Sequence, residues 1–241
     1  FNKLFKVDIE EAAQPVPDGY ATMNAFFTRE LREGARPIAD NAAITSPCDG
    51  VISELGTIDD GLLIQAKGFR YNVADLTGDP NAVDRYRGGR FMTIYLAPFD
   101  YHRVHFPCPG TVAMERHIPG KLFSVNGATA NAVPRLIARN ERRVFDIDAS
   151  PHSVCLVMVG ALNVGSISTV WESSPTPAGL LDVPTVLPAT TTRFEQGDAL
   201  GWFNMGSTVI LLLEQGAPAW RADLAKDHTV RCGERLDAPT R

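Results

Sequence analysis

The chain has 241 residues, 44% of them apolar, and its 28 acidic and 23 basic side chains leave a net charge of −5. That balance argues against nucleic acid as a partner, which would want a basic face, and gives no global pull toward an anionic membrane, so membrane contact has to be local. The 4 cysteines are far apart with no Cys-x-x-Cys pair, against a disulfide framework or a structural metal site, and no apolar run is long enough to span a bilayer.

Residues 8–14 read as a short helix stopped by Pro15 and Pro17. Thr22 reads as the cap of a second helix, with Met23, Phe26, Phe27 and Leu31 on one face. Together they make a helical N-terminal arm over residues 1–40. Beyond Ile44, short runs rich in Val, Ile, Thr and aromatics alternate with Gly, Pro and Asp. Strands are expected over 50–55, 62–66, 90–96, 110–118, 143–147, 154–159, 164–170 and 207–213, and helices over 73–76 and 130–137. Residues 172–192, with Pro175, Pro177, Pro184 and Pro188, read as a loop and a candidate lid. The fold class is mainly β (α+β): one β-sandwich or barrel-sandwich-like domain over 1–241 with a helical arm. The stretch 195–201 also resembles a turn of lipoyl- or biotinyl-type sandwiches, which supplies a competing, non-catalytic reading.

The chemistry centres on Met205-Gly206-Ser207-Thr208, just before the apolar run 209–213. Gly206 has no side chain to shield its carbonyl from the Ser207 hydroxyl. Attack there gives an ester, and elimination with loss of ammonia leaves a pyruvoyl group, an electron sink that captures amines. Three further stretches stand in order: Ser46-Pro47-Cys48-Asp49-Gly50, Tyr101-His102-Arg103-Val104-His105-Phe106-Pro107 and Gly120-Lys121-Leu122-Phe123-Ser124-Val125-Asn126. Read alone, Asp49 is good turn chemistry, Ser124 a turn or helix cap, and His102 and His105 face opposite sides of a strand unless a bend intervenes. A metal would need a third ligand. Cys48 with His105 offers a hydrolase, but Cys48 lacks the basic neighbours that would activate it.

Together with Met23–Arg32, Arg36-Pro37-Ile38, Gln65-Ala66-Lys67-Gly68, Asn140-Glu141-Arg142 and Val159-Gly160-Ala161, these motifs resemble the phosphatidylserine decarboxylase family, over about residues 5–214. Met205 and Cys48 depart from its usual residues beside functional positions. The resemblance implies a pyruvoyl cofactor formed covalently from Ser207 by cleavage after Gly206. Residues 1–206, the arm and 41–206, would then form the β chain and 207–241 the α chain. It implies that His105 is the base for Ser207, Asp49 orients His105, and His102 protonates the carbon left by CO2. Phe123, Ser124 and Asn126 would line the substrate pocket. It further implies a phospholipid substrate, a homodimer, and peripheral membrane association (the cytoplasmic face of the inner membrane if bacterial), with a membrane-associating segment that would precede Phe1. Met23, Phe26, Phe27, Arg29 and Arg32 are candidates for the lipid-facing patch. A free amino acid is the alternative substrate.

Overall fold

The computed structural model describes residues 7–66, 69–125, 127–130, 132–161, 166–172, 183–187, 191–204 and 207–239. In chain order the elements are helix α1 (Met23–Phe27), strands β1 (Gly50–Thr57), β2 (Leu62–Ala66) and β3 (Phe69–Asn72), and helices α2 (Val73–Thr77) and α3 (Ala82–Arg85). Strands β4 (Arg90–Leu96), β5 (Arg103–His105) and β6 (Gly110–Ile118) follow, then helices α4 (Gly127–Ala130) and α5 (Leu136–Arg139). The remainder is β7 (Arg142–Asp148), β8 (Ser153–Gly160), β9 (Ile167–Thr169), β10 (Thr185–Leu187), β11 (Arg193–Phe194), β12 (Ala199–Phe203), β13 (Ser207–Leu213) and β14 (Thr229–Val230).

The organising element is β13. Its sequence Ser-Thr-Val-Ile-Leu-Leu-Leu is buried at every position, as a strand with partners on both edges and cover on both faces must be. It pairs antiparallel with β4 on one side and β8 on the other, inside a large sheet ordered β10-β6-β7-β8-β13-β4-β1-β14. Alternate residues feed two cores. Val209, Leu211 and Leu213 join Ile94, Leu156, Val104, Leu200 and Phe203 in the first. Ile210 and Leu212 join Leu63, Tyr71, Leu76 and Val157 in the second. A small sheet ordered β5-β12-β9 therefore covers one face, and the β2-β3 hairpin with helices α2 and α3 covers the other. The mainly β expectation holds.

Two expectations on the arm are corrected. Residues 8–14 are not helical: Ala12 bridges to Leu31, Ala13 N donates to Glu30 O, and Arg32 N donates to Glu11 O. A segment of two turns gains too little from its own hydrogen bonds to resist such pairing. The Thr22 cap is present, with Oγ1 accepting from Ala25 N at 3.1 Å, but α1 ends at Phe27 and leaves Leu31 outside it. The helix expected over 130–137 is interrupted, because Arg135 has φ +56° immediately before α5. Of the strand expected over 164–170, residues 167–169 form β9 and 164–165 lie outside the described residues. The reading of 172–192 as one loop is corrected in part, since β10 pairs with β6, while 173–182 and 188–190, and with them the lid, lie outside the described residues.

Candidate active site

Ser207 is the first residue of β13, opposite Leu96 of β4 and Gly160 of β8. By strand alternation its side chain shares the face of Val209 and Leu211, toward the β5-β12-β9 sheet. It is fully buried, and Oγ has no hydrogen-bond partner among the described residues. A buried hydroxyl left unpaired costs about 1–3 kcal/mol, so its presence at this position asks for an explanation. Gly206 and Met205 lie outside the described residues.

His102 is reached through the same crossing. The link from β4 to β5 leaves Leu96, the partner of Ser207, and returns at His102, whose carbonyl accepts from Phe203 N at 3.1 Å. The crossings from β4 to β5 and from β12 to β13 thus lie side by side, paired where they leave one sheet and where they enter the other. His102 is fully buried, and its Nδ1–H donates to Asp100 O at 2.9 Å. That fixes the tautomer and leaves the lone pair on Nε2, which is buried with no partner among the described residues. Burial lowers the pKa of His102 to about 3; the Asp100 carbonyl opposes this and the Arg29 charge adds to it. The Phe27 ring of α1 lies against the imidazole, centroids 3.9 Å apart.

His105 is held differently. Nδ1–H donates to Gly197 O at 2.8 Å, and Nε2 pairs with the Tyr101 hydroxyl at 3.0 Å. Gly197 has φ +88°, a backbone that favours glycine, and its turn sets that carbonyl against the ring. The stretch that resembled a lipoyl-type turn therefore serves as the seat of His105. Burial lowers the pKa of His105, and Asp49 acts in the opposite sense only through space. The Asp49 carboxylate is occupied by Arg36, with Nε to Oδ1 at 2.8 Å and Nη2 to Oδ2 at 2.5 Å, and by Cys232 N at 2.9 Å. The structure thus places Asp49 and His105 at one end of the sandwich, where His105 N donates to Pro47 O at 2.8 Å, without a hydrogen bond between them. Burial pushes the Cys48 thiol well up, so it is protonated and unreactive.

On the opposite face of the sheet, Thr208 and Tyr95 floor a cavity of about 300 Å³ walled by Val125, Leu136 and Ile137, with Lys226 among its lining residues. Phe123 and Ser124 are half-buried beside it, and Asn126 lies outside the described residues. Two residues that sequence reasoning left without a role tie segments near Ser207 together. Asn140, fully buried, accepts from Phe123 N at 3.1 Å and donates to Phe123 O at 2.9 Å and to Gly160 O at 2.8 Å. It therefore ties the Phe123 loop to the strand residue opposite Ser207. Asn204 donates to Ser166 Oγ at 2.6 Å and Ser168 Oγ at 3.1 Å, and accepts from Asn24 Nδ2 at 3.2 Å. The signal for Asn140 was its motif; for Asn204 only its nearness to Ser207 offered one.

The lipid-facing patch is corrected. Phe26, Phe27 and Arg29 are buried against the protein, which leaves Met23 and Arg32 exposed. No helix among the described residues is long and apolar enough to cross a membrane, and no metal-binding cluster is found among them.

Comparison with known proteins matches residues 23–238 to the family model for phosphatidylserine decarboxylase. The chain is similar to the phosphatidylserine decarboxylase proenzymes of Nitrosococcus oceani (43% identical over 242 residues, 98% of this chain and 78% of the relative) and Methylococcus capsulatus (42% over 239 residues, 98% and 83%). The proenzyme of Alkalilimnicola ehrlichii is 47% identical over 224 residues, 88% of this chain and 75% of the relative.

Proposed function

We propose that this chain, which belongs to the phosphatidylserine decarboxylase family, releases CO2 from the serine headgroup of phosphatidylserine after cutting itself between Gly206 and Ser207. The observation that carries the reading is the buried Ser207 hydroxyl, without a partner among the described residues, on a strand tied to the loop that ends in a neutral His102. Family and fold agree with a decarboxylase, and the residues around Ser207 fit a group made from its own side chain.

In the self-cleavage, Ser207 Oγ attacks the Gly206 carbonyl carbon and the peptide becomes an ester. Loss of the Ser207 α-proton expels the Gly206 carboxylate, and water then releases ammonia to leave a pyruvoyl terminus. His105 is the base in this reading: with Nδ1 committed to Gly197, its lone pair sits on Nε2. Tyr101, which shares that nitrogen, has to swing away or pass the proton on. Asp49 supports the charged ring through space.

Once formed, the pyruvoyl group supplies an electron sink for the pair left behind by departing CO2. The protein supplies the rest. Apolar surroundings at His102 exclude water. Its Nε2 holds no proton at neutral pH, so it has to collect the proton it delivers to carbon. The substrate ammonium, which sheds protons on capture, is a source. Lipid access fits the two exposed apolar side chains near this loop, Met23 on α1 and Phe99 between β4 and β5, as a small contact with a bilayer surface.

Intact mass and product assays test the reading together. The parent should yield fragments 1–206 and 207–241, the latter carrying a keto group, and should form phosphatidylethanolamine from phosphatidylserine. Ser207→Ala should stay whole and inert. Turnover of free serine in place of the lipid would favour the amino-acid substrate.

A further inference from the structure

A cavity of about 210 Å³ between the N-terminal arm and the loop before β5 is lined by Arg29, Arg36 and Arg231 and by Asp8, Glu11, Asp49 and Asp100. Most of this charge is already committed. Arg36 binds Asp49 and Glu11, and Arg231 binds Glu11 at 3.1 Å. Asp49 also accepts from Cys232 N. Asp100 Oδ2 accepts from Ala97 N, and burial pushes its carboxyl up to about 6. Asp8 Oδ1 accepts from Glu10 N.

Arg29 stands apart. It is 5% exposed, and among the described residues its Nε has no hydrogen-bond partner and no carboxylate forms an ion pair with it. Among the described residues its guanidinium packs on the Phe26 ring, 5.0 Å from Cζ. Such a contact is worth up to about 2 kcal/mol when desolvated, whereas burying a cation costs several kcal/mol. Tyr20, Asp49 and Tyr101 act on it only through space, and burial outweighs them, lowering its pKa. The guanidinium stays charged, and its planar fork matches an oxyanion two bonds at a time. The position is functional ground. Phe27, two residues away, packs on His102, and Asp100 and Tyr101 of the His102 loop line the same cavity.

We infer that Arg29 binds an oxyanion of the substrate headgroup, phosphodiester or carboxylate, in this cavity beside His102, an inference that rests on the decarboxylase reading above. A bound anion also offsets the Arg29 charge felt by His102, so occupancy raises the affinity of Nε2 for the proton it delivers.

The experiment compares the parent with Arg29→Gln and Arg29→Lys in detergent micelles, scoring self-cleavage, melting temperature, KM for phosphatidylserine, and inhibition by phosphatidylethanolamine. Loss of a charge-assisted bidentate contact should raise KM about ten- to a hundredfold in Arg29→Gln, with Arg29→Lys between it and the parent. The product keeps the phosphodiester and lacks the carboxylate. Weakened product inhibition in step with KM assigns the phosphodiester; unchanged inhibition with raised KM assigns the carboxylate. KM and product inhibition both within about twofold of the parent, with only the melting temperature lowered, overturn the inference and make Arg29 a structural cation. Should Arg29→Gln fail to fold, Arg29→Lys with parental values overturns it equally. A parent that makes no phosphatidylethanolamine defeats the decarboxylase reading instead. Binding of phosphatidylethanolamine and of phosphatidylserine to the parent and to Arg29→Gln then decides Arg29: equal binding of both lipids by the two proteins overturns it.

Discussion

The Phe27 ring and the His102 imidazole lie with centroids 3.9 Å apart and planes inclined at 40°, so the N-terminal arm roofs the histidine whose Nε2 has no partner among the described residues. This contact makes the arm part of the site rather than a mere attachment. Phe27→Leu keeps an apolar cover and costs less than about 1.5 kcal/mol, whereas Phe27→Ala opens the ring to water. We expect Phe27→Ala to move the acidic limb of the kcat profile toward neutral pH, as His102 regains an ordinary proton affinity, and Phe27→Leu to move it much less. A pH–rate series on the two variants checks this; identical profiles would remove Phe27 from the site.

Stability should carry the same signature. His102 titrates near 3 in the folded chain against about 6.5 unfolded, chiefly because it is buried. A depressed folded value means that the unfolded state takes the proton first, so stability is present above the unfolded value and lost as pH falls. From pH 7.5 to pH 5 this one group should remove about 2 kcal/mol. Urea unfolding in the uncleavable Ser207→Ala background measures it, and adding His102→Gln should flatten the pH dependence by about that amount. An unchanged slope would show that His102 is solvated in solution.

The two histidines should separate by reaction step. Among the described residues Nε2 of His102 has no partner, whereas His105 is anchored to Gly197 and shares Nε2 with Tyr101. With the proposed roles, His102→Ala yields cleaved chains that form no amine product, and His105→Ala remains whole. Denaturing gels and CO2 release read the two steps independently. A whole His102→Ala chain would move the cleavage base from His105 to His102, which Nε2 of His102 and Oγ of Ser207, both without a partner among the described residues, make the natural substitute.

Much of this was legible in the sequence. The strands expected over 154–159 and 207–213 announce themselves because a strand buried on both faces in the middle of a sheet reads as a nearly continuous apolar run. The candidate residues could be named because their motifs are local. Their partners could not. Asp49 meets Arg36 across 13 positions, and His105 meets Gly197 across 92, so no window along the chain contains either pair. The short strands β5 and β12 are equally silent, since such brief runs gain strand character only by pairing with a neighbour, β12 with β5 on one edge and β9 on the other. The arm misled for the opposite reason: residues 8–14 look helical in isolation, and only the return of the chain at Leu31 supplies the competing bridge.

Asn140 offers the last test. Its side chain saturates both backbone groups of Phe123 and caps Gly160 O, the carbonyl of the residue opposite Ser207. Asn140→Asp keeps the shape and the acceptor for Phe123 N but removes both donated bonds and buries a charge. Each orphaned carbonyl costs about 1–3 kcal/mol, and the Phe123 loop can recover that by moving into solvent. The loop should therefore loosen before the sheet does. With the Phe123 loop proposed as a wall of the substrate pocket, we expect cleavage to persist, KM for phosphatidylserine to rise roughly tenfold, and kcat to change less, because no proton-transferring group loses a bond. Equal losses in kcat and in cleavage would instead place Asn140 in the support of Ser207 through Gly160.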